Sequence, residues 1–318
     1  MKLHGICLVR NEADVIAQTL TAAAAWADVV YVCDNGSTDG TWDLVRELGH
    51  ELPQIVAWKQ DARPYGPHLW AEAYERFRGN SSRGDWWCRL DADELYIDDP
   101  RDFRAAVPRL YRSVWSASFQ DYFTTEDVRR WSEEPSRYAE ATLVDERLRF
   151  YANNWSEQRF FRDAPGLVWT DGNWPAFVYD AVYPRRIRLK HFQYRSPEQI
   201  QRRLDTRRHA PAARFRHERH ADWEAAVVRR RAAPAGTRAA AEMPGGWRER
   251  VVDPAGLLHD AGDGPYVVDE AALPSIPPLG RSVAASARRL VRARMAATRR
   301  SIADRPDPGG APRSARSG

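Results

Sequence analysis

The sequence predicts an α/β fold in which a mostly parallel central sheet is flanked by helices. Short apolar segments, rich in β-branched residues, alternate with helical segments over about the first 100 residues. Two of the predicted strands, 28–33 and 85–90, run directly into acidic segments. Strands that alternate with helices are joined by right-handed crossovers and lie parallel, and such sheets bind ligands beyond the carboxyl ends of their strands.

The N-terminal elements follow from the spacing of apolar residues and from turn signals. Residues 3–9 form an apolar strand, and residues 11–26 have helical composition with Asn11 placed to cap them. The turn Asp34-Asn35-Gly36 ends the second strand. The elements that follow are predicted as a helix at 41–48, a strand at 54–58, a helix at 69–77 and a strand at 85–90.

After about residue 112 the pattern is less regular. Residues 121–145 are polar, charged and rich in Trp and Tyr, which is typical of substrate-facing loops or of a short insertion. Strands are predicted at 113–119, 159–162, 167–170 and 186–190, and a helix begins at Pro197 and runs towards His209. From residue 211 onward Arg, Ala, Pro and Gly dominate, which predicts an Arg/Ala-rich helical C-terminal extension.

The composition is that of a globular chain, with 43% hydrophobic and 29% charged residues, and it excludes a fibrous or wholly disordered protein. The 318 residues suffice for one large domain with appendages or for two small domains. Arg10 comes too early for a signal peptide, and no segment approaches the roughly 18–20 apolar residues of a spanning helix, so we expect a cytoplasmic protein. Cys7, Cys33 and Cys88 are expected to be buried free thiols.

The strongest functional pattern is the acidic run of Asp91, Asp93 and Glu94, which follows an apolar, aromatic strand. Alternate residues at a strand end can converge on one ion, and carboxylate oxygens suit Mg²⁺ or Mn²⁺. Such an ion stabilises the negative charge that builds up on a departing diphosphate. A motif this short also occurs as a plain acidic exit from a strand, so the neighbouring motifs decide between the two interpretations.

A second polar motif, Asp-Asn-Gly-Ser-Thr-Asp-Gly-Thr, begins at Asp34 after the second strand. There a carboxylate can accept hydrogen bonds from a base or a ribose. Ser37, Thr38 and Asp39 can equally form a turn and a helix cap. The two roles are compatible.

Together with Val-Arg-Asn-Glu at 9–12, these motifs resemble the family 2 glycosyltransferases. In that family the N-terminal half has a strand, Asn-Glu, a second strand, Asp-Asn-Gly-Ser-Thr-Asp-Gly-Thr and then a DxD motif on the fourth strand. The order and spacing match over roughly the first 100 residues, about a third of the chain. The resemblance implies the Rossmann-like GT-A fold, a nucleoside diphosphate sugar as donor, a divalent metal (Mg or Mn) and, usually, inversion at the anomeric carbon.

The resemblance also implies roles for single residues. Glu12 and Asp34 become nucleoside contacts. Asp91 becomes a ribose or metal-shell contact, and Asp93 a direct metal ligand. The full set of predicted donor-binding residues is Arg10, Glu12, Asp34, Asp39, Asp91 and Arg195.

A later phrase, His-Phe-x-Tyr-Arg-Ser before a helix, resembles the corresponding segment of bacterial relatives. Many GT-A enzymes return a late histidine to the metal, which makes His191 a predicted metal ligand or diphosphate contact. The guanidinium fork of Arg195 suits phosphate oxygens. A single histidine at a strand end is also often structural, and that interpretation of His191 stays open.

An inverting transferase needs a carboxylate that deprotonates the acceptor hydroxyl. Asp171 and Glu157 are the candidate bases, and neither motif decides between that role and a structural one. The segment departs from the Glu-Asp and Gln-x-x-Arg-Trp patterns of processive members, which argues against a processive polymer synthase. Four aromatic residues surround the two acids: Trp155, Trp169, Trp174 and Tyr179. They suit an acceptor platform, but we expect core packing for most of them.

The sequence predicts a GT-A domain at 1–210, with a nucleotide-sugar half at 1–100 and an acceptor half at 101–210. An irregular extension at 211–280 and a basic helix with a disordered tail at 281–318 are predicted to follow. The expected acceptor is a glycan, a lipid-linked sugar or a small molecule. Eight arginines against Asp304 across 281–305 suit a peripheral contact with the inner face of a membrane, although such a charge run is more often a solvated face. Nucleic acid is not expected as a partner.

Two other functions are compatible with parts of the pattern. A nucleotidyltransferase also binds a nucleotide and a metal on an α/β sheet, but it would normally need a glycine-rich loop where this chain has Val-Arg-Asn-Glu. A non-catalytic protein would use the nucleotide site or the arginine-rich C-terminal third to bind a nucleotide or an anionic surface. Salt-sensitive binding of the tail to liposomes or DNA would favour the latter.

Overall fold

The computed structural model describes residues 1–139, 143–165, 167–169, 174–175, 181–208, 246–260, 262 and 266–279. The strands are β1 (Leu3–Val9), β2 (Val29–Asp34), β3 (Ile55–Gln60), β4 (Trp86–Asp91), β5 (Glu94–Tyr96), β6 (Ser113–Tyr122), β7 (Phe150–Trp155), β8 (Gln158–Arg162), β9 (Ile187–His191) and β10 (Leu258–His259). The helices are α1 (Ile16–Trp26), α2 (Thr41–Glu51), α3 (Pro67–Phe77), α4 (Pro100–Ala105), α5 (Thr125–Glu133), α6 (Ser136–Ala139), α7 (Val144–Arg147) and α8 (Pro197–Arg208). The predicted α/β class is confirmed, and the basic helix predicted at 281–318 lies outside the described residues.

Four parallel strands form the N-terminal half of the sheet, in the order β3-β2-β1-β4. Helices α1 and α2 pack on one face, and α3 covers the other. Burial on both faces explains why β1 and β2 are continuous apolar runs rather than alternating ones. Val9 pairs with Asp34, and Leu8 pairs with Asp91, so the acidic ends of β2 and β4 flank the end of β1.

The C-terminal half of the sheet is organised around the long strand β6. Strand β8 runs antiparallel to both β4 and β6, and β7 pairs with β6 in the antiparallel direction. Strand β9 runs parallel to β6 and also pairs with the short strand β5. Because β5 directly follows the acidic end of β4, this pairing sets Glu94 opposite His191.

The sequence predicted that the first helix begins at residue 11. In the structure, α1 begins at Ile16. Asn11 has a φ of 56°, in the left-handed region that a right-handed helix does not use. Its backbone N–H donates to the Ser37 hydroxyl at 2.8 Å, and its side-chain oxygen accepts from the Thr38 N–H at 2.8 Å. Asn11 therefore ties two loops together instead of capping a helix.

Two predictions for the second half differ from the structure. The polar segment 121–145 holds the helices α5, α6 and α7 where loops or an insertion were expected. A capping box between Thr124 and Asp127 begins α5, whose contact with the core is made through Val128 and Trp131. Because each helix has few apolar residues that contact the core, the sequence of this segment contains too few regularly spaced apolar residues to predict helices. The strand expected at 167–170 is absent from its described part, residues 167–169.

The prediction of buried free thiols is confirmed for Cys7, Cys33 and Cys88. They lie on β1, β2 and β4 within the two apolar cores that flank the parallel strands. Burial raises the pKa of Cys33 and of Cys88 to about 12. These thiols therefore stay protonated and act as small apolar side chains.

The described residues between 246 and 279, predicted as part of an irregular extension, pack against the sheet. Strand β10 pairs with β7 in the antiparallel direction. Trp247 lies edge-on to Trp131 with 5.8 Å between ring centroids, and Tyr266 lies 5.0 Å from the ring of Phe119. This segment therefore covers apolar surface of α5 and β6.

Asp260 anchors that segment to the sheet. It is buried, accepts hydrogen bonds from the Tyr266 hydroxyl and from the Gly262 N–H, and lies 3.4 Å from the Lys190 ammonium. Replacing Asp260 with Ala leaves buried polar groups without this acceptor, so we expect the free energy of unfolding to fall by about 2–3 kcal/mol. Urea unfolding followed by tryptophan fluorescence measures the change.

The matched control is Asp253→Ala, in the same segment. Asp253 is exposed and accepts a bond from the N–H of Ala255, two residues along the chain. We expect its removal to cost less than about 1 kcal/mol. Equal losses in the two variants would show that Asp260 does not anchor the segment.

Candidate functional site

The candidate site lies at the edge of the sheet where β1, β2 and β4 end, and it begins with two loops that hold each other. The Glu12 N–H donates to the Thr41 hydroxyl at 2.9 Å, and the Ala13 N–H donates to the Asp39 carboxylate at 3.2 Å. The Asp39 carboxylate also accepts from the Thr41 hydroxyl at 2.5 Å. Asp39, a predicted donor contact, thus links the loop after β1 to the start of α2.

Asp34 is completely buried at the end of β2. Its Oδ1 accepts from the N–H groups of Gly36 at 3.0 Å and Ser37 at 2.9 Å, and from the Gln60 amide at 3.2 Å. Gly36 has a φ of 77°, a conformation that glycine adopts without strain. Oδ2 of Asp34 has no hydrogen-bond partner among the residues that the structure describes. A buried carboxylate oxygen without a partner is costly, and a ligand N–H or hydroxyl would relieve that cost.

Asp93 and His191 face each other at the centre of the site. The Phe192 N–H donates to the Asp93 carbonyl at 2.9 Å, which fixes the end of β9 against the turn after β4. His191 Nε2 lies 3.4 Å from Asp93 Oδ1, and the two side chains are 17% and 7% exposed. Burial by itself would raise the pKa of Asp93 and lower that of His191, but their mutual attraction dominates, so the pKa of Asp93 is lowered and that of His191 is raised.

Asp91, the last residue of β4, faces different cations. Its Oδ2 lies 3.1 Å from Arg159 Nη1, and its Oδ1 lies 3.7 Å from Arg89 Nε. In the described part of the chain, no three His, Cys, Asp or Glu side chains gather as they would around a metal ion. The predicted set of Asp91, Asp93 and His191 is thus not assembled as one group; the structure joins Asp93 with His191 and turns Asp91 towards Arg159.

Arg159 is a buried bridge between carboxylates. Besides Asp91, it contacts Glu94 and lies 2.8 Å from Glu157 Oε1. Burial alone would raise the pKa of Glu157, but Arg159 and Arg89 lower it. A base with a lowered pKa accepts a proton less readily, which weakens Glu157 as the candidate base. Burial raises the pKa of Glu94 to about 8 in spite of its contact with Arg159.

Arg195, predicted to meet a phosphate, is completely buried. Its Nε and Nη2 donate to the Asp14 carboxylate at 2.8 Å, Nη1 donates to the Phe192 carbonyl at 2.7 Å, and Nη2 also contacts Glu12. The guanidinium therefore ties the loop after β1 to the residues that follow β9. All three of its nitrogens donate to protein acceptors, so its contact with a phosphate stays a prediction.

The family model for glycosyl transferase family 2 matches residues 6–165, which hold all of the loops and strands just described except β9 and the residues after it. The chain belongs to glycosyltransferase family 2. The resemblance carried by the motifs at 9–12, 34–41 and 91–93 is thereby confirmed.

Two solved structures are similar to parts of this family 2 chain. TarS from S. aureus is 20% identical over 39% of this chain and 22% of its own chain, with a TM-score of 0.29. The mannosyltransferase PcManGT from Pyrobaculum calidifontis, solved with GDP-Man and Mn²⁺, is 16% identical over 65% of this chain and 61% of its own, with a TM-score of 0.36. The chain thus spans about a fifth of that TarS chain and less than two thirds of PcManGT. No curated protein sequence matches it.

The remaining predicted residues of this glycosyltransferase have different placements. Arg10 is exposed at the end of β1, and Asp171 and Tyr179 lie outside the described residues. Trp169 and Trp174 are buried in the core beneath α3 and stack with 6.3 Å between ring centroids, which confirms packing for these two. Trp155, two residues before Glu157, is 42% exposed, so it is the one of the three tryptophans that faces solvent.

Sequence analysis singled out Arg195 but missed Arg159, Arg202 and Arg203, which also contact the acidic motifs. Arg202 donates to Asp39 at 3.0 Å, and Nη1 of Arg203 lies 3.4 Å from Asp93 Oδ2. The signal was the arginine-rich composition of α8, a helix that starts soon after His191 and therefore begins close to the acidic loops. The sequence around Arg159 shows no comparable run of arginines, because Arg159 lies in a short strand next to Gln158 and Phe160.

Proposed function

We propose that this family 2 glycosyltransferase moves a sugar from a nucleoside diphosphate sugar to a hydroxyl of a glycan, a lipid-linked acceptor or a small molecule, with inversion at the anomeric carbon. The observation that carries the proposal is the buried Asp93–His191 pair at the edge of the sheet where Asp34 keeps one carboxylate oxygen without a partner among the described residues. Family membership favours this function over a nucleotidyltransferase or a non-catalytic binding protein.

The residues at the centre of the site fit Mg²⁺ or Mn²⁺. Asp93 offers carboxylate oxygens, and His191 offers an imidazole nitrogen 3.4 Å away. Two protein ligands leave coordination positions to donor phosphates and water, as these ions favour. Asp91, held by Arg159, suits a ribose contact or the outer shell of the metal. When bound, the cation stabilises the charge that develops on the leaving diphosphate.

Other residues of the chain bind and orient the substrates. Asp34 Oδ2 accepts a hydrogen bond from the nucleoside, and the N–H groups of Gly36 and Ser37, which donate to Oδ1, orient the carboxylate. Glu12, held by Arg195, lines the same edge of the sheet. The base that deprotonates the acceptor is Asp171 or Glu157. Burial alone would raise the pKa of Glu157, but Arg159 and Arg89 lower it. The lowered pKa of Glu157 favours Asp171 as the base.

We also propose a cytoplasmic enzyme that touches the inner face of an anionic membrane through the basic residues 281–305. Salt-sensitive binding of the full chain to anionic vesicles would support this contact. None of the helices in the part of the chain that the structure covers has the length and apolar character of a membrane span.

The proposed function is tested by titrating the full chain with UDP, GDP and dTDP, each with Mn²⁺ and with EDTA, in a calorimeter. We expect one nucleotide to bind with Mn²⁺ and to bind at least about tenfold more weakly with EDTA. Asp34→Ala is expected to weaken nucleotide binding by about tenfold or more, because it removes the acceptor oxygen for the nucleoside.

Asp43→Ala is the matched control, since this aspartate lies in the first turn of α2 and is exposed, whereas Asp34 is buried. It should bind the nucleotide as the unchanged protein does. If folded protein binds no nucleotide under any of these conditions, the proposed donor site is wrong.

A further inference from the structure

Helix α8 crosses the proposed donor site and reaches three of its parts. Arg202 donates to Asp39 at 3.0 Å, and the Asn11 amide donates to the Thr206 hydroxyl at 3.4 Å. Between them, Arg203 reaches the acidic motif itself. These contacts join residues more than 100 positions apart in the chain. Tertiary contacts therefore fix the position of α8 over the site.

The guanidinium of Arg203 stands between two buried carboxylates. Its Nη1 lies 3.4 Å from Asp93 Oδ2 and 3.5 Å from Glu12 Oε1. The side chain is only 14% exposed, and its guanidinium carbon lies 5.9 Å from the centre of the Tyr194 ring. Arg203 therefore has a defined position over the same carboxylate that we propose as the metal ligand.

A divalent cation and Arg203 cannot both be well accommodated at Asp93. A bound Mg²⁺ or Mn²⁺ lies about 2.0–2.2 Å from its carboxylate oxygen, and at such distances from the same group it would stand only a few ångströms from the guanidinium. In a site this buried, water screens the two positive charges weakly, so they repel each other strongly. One of the two cations has to yield.

We propose that Arg203 is an internal counter-ion that competes with the divalent cation for Asp93 and has to leave that carboxylate before the metal binds fully. The inference rests on the proposed function, because it takes Asp93 as the metal ligand. It adds that metal binding is linked to α8: Arg203 shares with His191 and Arg195 in neutralising Asp93, and the bound metal replaces the share of Arg203.

The test is the affinity of the full chain for Mn²⁺ alone, without nucleotide, measured from the free-ion signal in electron paramagnetic resonance. Arg203→Gln is expected to bind Mn²⁺ about tenfold more tightly than the unchanged protein. Arg203→Lys keeps a positive charge on the helix and is expected to stay within about threefold of the unchanged protein. Thermal melts of each variant confirm that it is folded.

Arg202→Gln is the matched control, because it removes the same charge from the neighbouring position but from a contact with Asp39. It reports the general effect of one positive charge fewer on cation binding, which we expect to be about twofold or less. A gain in Arg203→Gln no larger than that in Arg202→Gln overturns the proposal, and so does an absence of Mn²⁺ binding in every variant. Binding that appears only in Arg203→Gln supports it.

These outcomes are separate from those of the proposed function. If nucleotide binding depends on Mn²⁺ but Arg203→Gln leaves the Mn²⁺ affinity unchanged, the donor site stands and the competition by Arg203 is wrong. If no nucleotide binds while Arg203→Gln gains Mn²⁺ affinity, the cation site and its competitor stand and the donor assignment is wrong.

Discussion

Replacing Arg195 with Met is expected to lower the free energy of unfolding by about 3–5 kcal/mol. The guanidinium is completely buried and contacts Glu12, Asp14 and the carbonyl of Phe192. Methionine fills similar space but offers no donor, so two carboxylates and a carbonyl each lose a donor where water has little access. Denaturation in urea, followed by tryptophan fluorescence, gives the change in unfolding free energy.

Two further variants identify the cause of that loss. Arg195→Lys keeps the charge but loses the planar fork that holds Asp14 through two nitrogens, so an intermediate loss is expected. Arg129→Met removes an arginine that is 60% exposed and paired with Glu133 on the surface of α5, and its effect is expected to stay within about 0.5 kcal/mol. If Arg195→Met were no more harmful than Arg129→Met, the buried network would not contribute to stability.

The N-terminal half of the fold could be predicted because its signals are local. The apolar runs of β1, β2 and β4 report burial on both faces, and Asp34-Asn35-Gly36 reports the turn that follows β2. Parallel pairing then brings the ends of these strands together without further information from the sequence. Asp34 and the acidic motif were therefore correctly expected at the carboxyl ends of their strands.

The partners of the acidic residues could not be predicted in the same way. Arg195 reaches Glu12 across 183 positions of the chain, and Arg159 reaches Glu94 across 65. Such pairs depend on which strands and helices pack together, and no periodicity in the sequence records that choice. The start of α1 was missed for a related reason: Asn11 binds the loop after β2, and this tertiary contact overrides its local preference for a helix cap.

The arginines also explain why the acidic motif does not behave as one group. In a strand, successive side chains point to opposite faces, but the chain turns after Asp91, so spacing alone did not decide where Asp91 and Asp93 would point. Arg159 neutralises Asp91, whereas His191 and Arg203 neutralise Asp93. A motif that looks uniform in the sequence thus contains one carboxylate held in a structural ion pair and one that faces an ionisable imidazole.

This division predicts different effects for two substitutions of the same kind. Asp93→Asn is expected to lower the rate of sugar transfer by about 100- to 1000-fold at saturating donor and Mn²⁺, because the amide keeps the shape of the side chain but loses the charge that holds the metal. Asp91→Asn is expected to lower the rate by about tenfold or less, since Arg159 keeps its contacts with Glu94 and Glu157. Release of the nucleoside diphosphate, measured in a coupled assay with the donor identified by calorimetry, gives both rates.

The comparison is informative because the two variants change the same chemical group two residues apart. Thermal melts of both proteins show whether a lost rate reflects lost folding, and a large excess of Mn²⁺ should restore little of the rate in Asp93→Asn if a ligand has been removed. Equal losses in Asp91→Asn and Asp93→Asn would mean that both carboxylates serve the metal during turnover. Arg159 would then have to release Asp91 when the donor binds, and the separation of the two carboxylates would belong to the ligand-free protein alone.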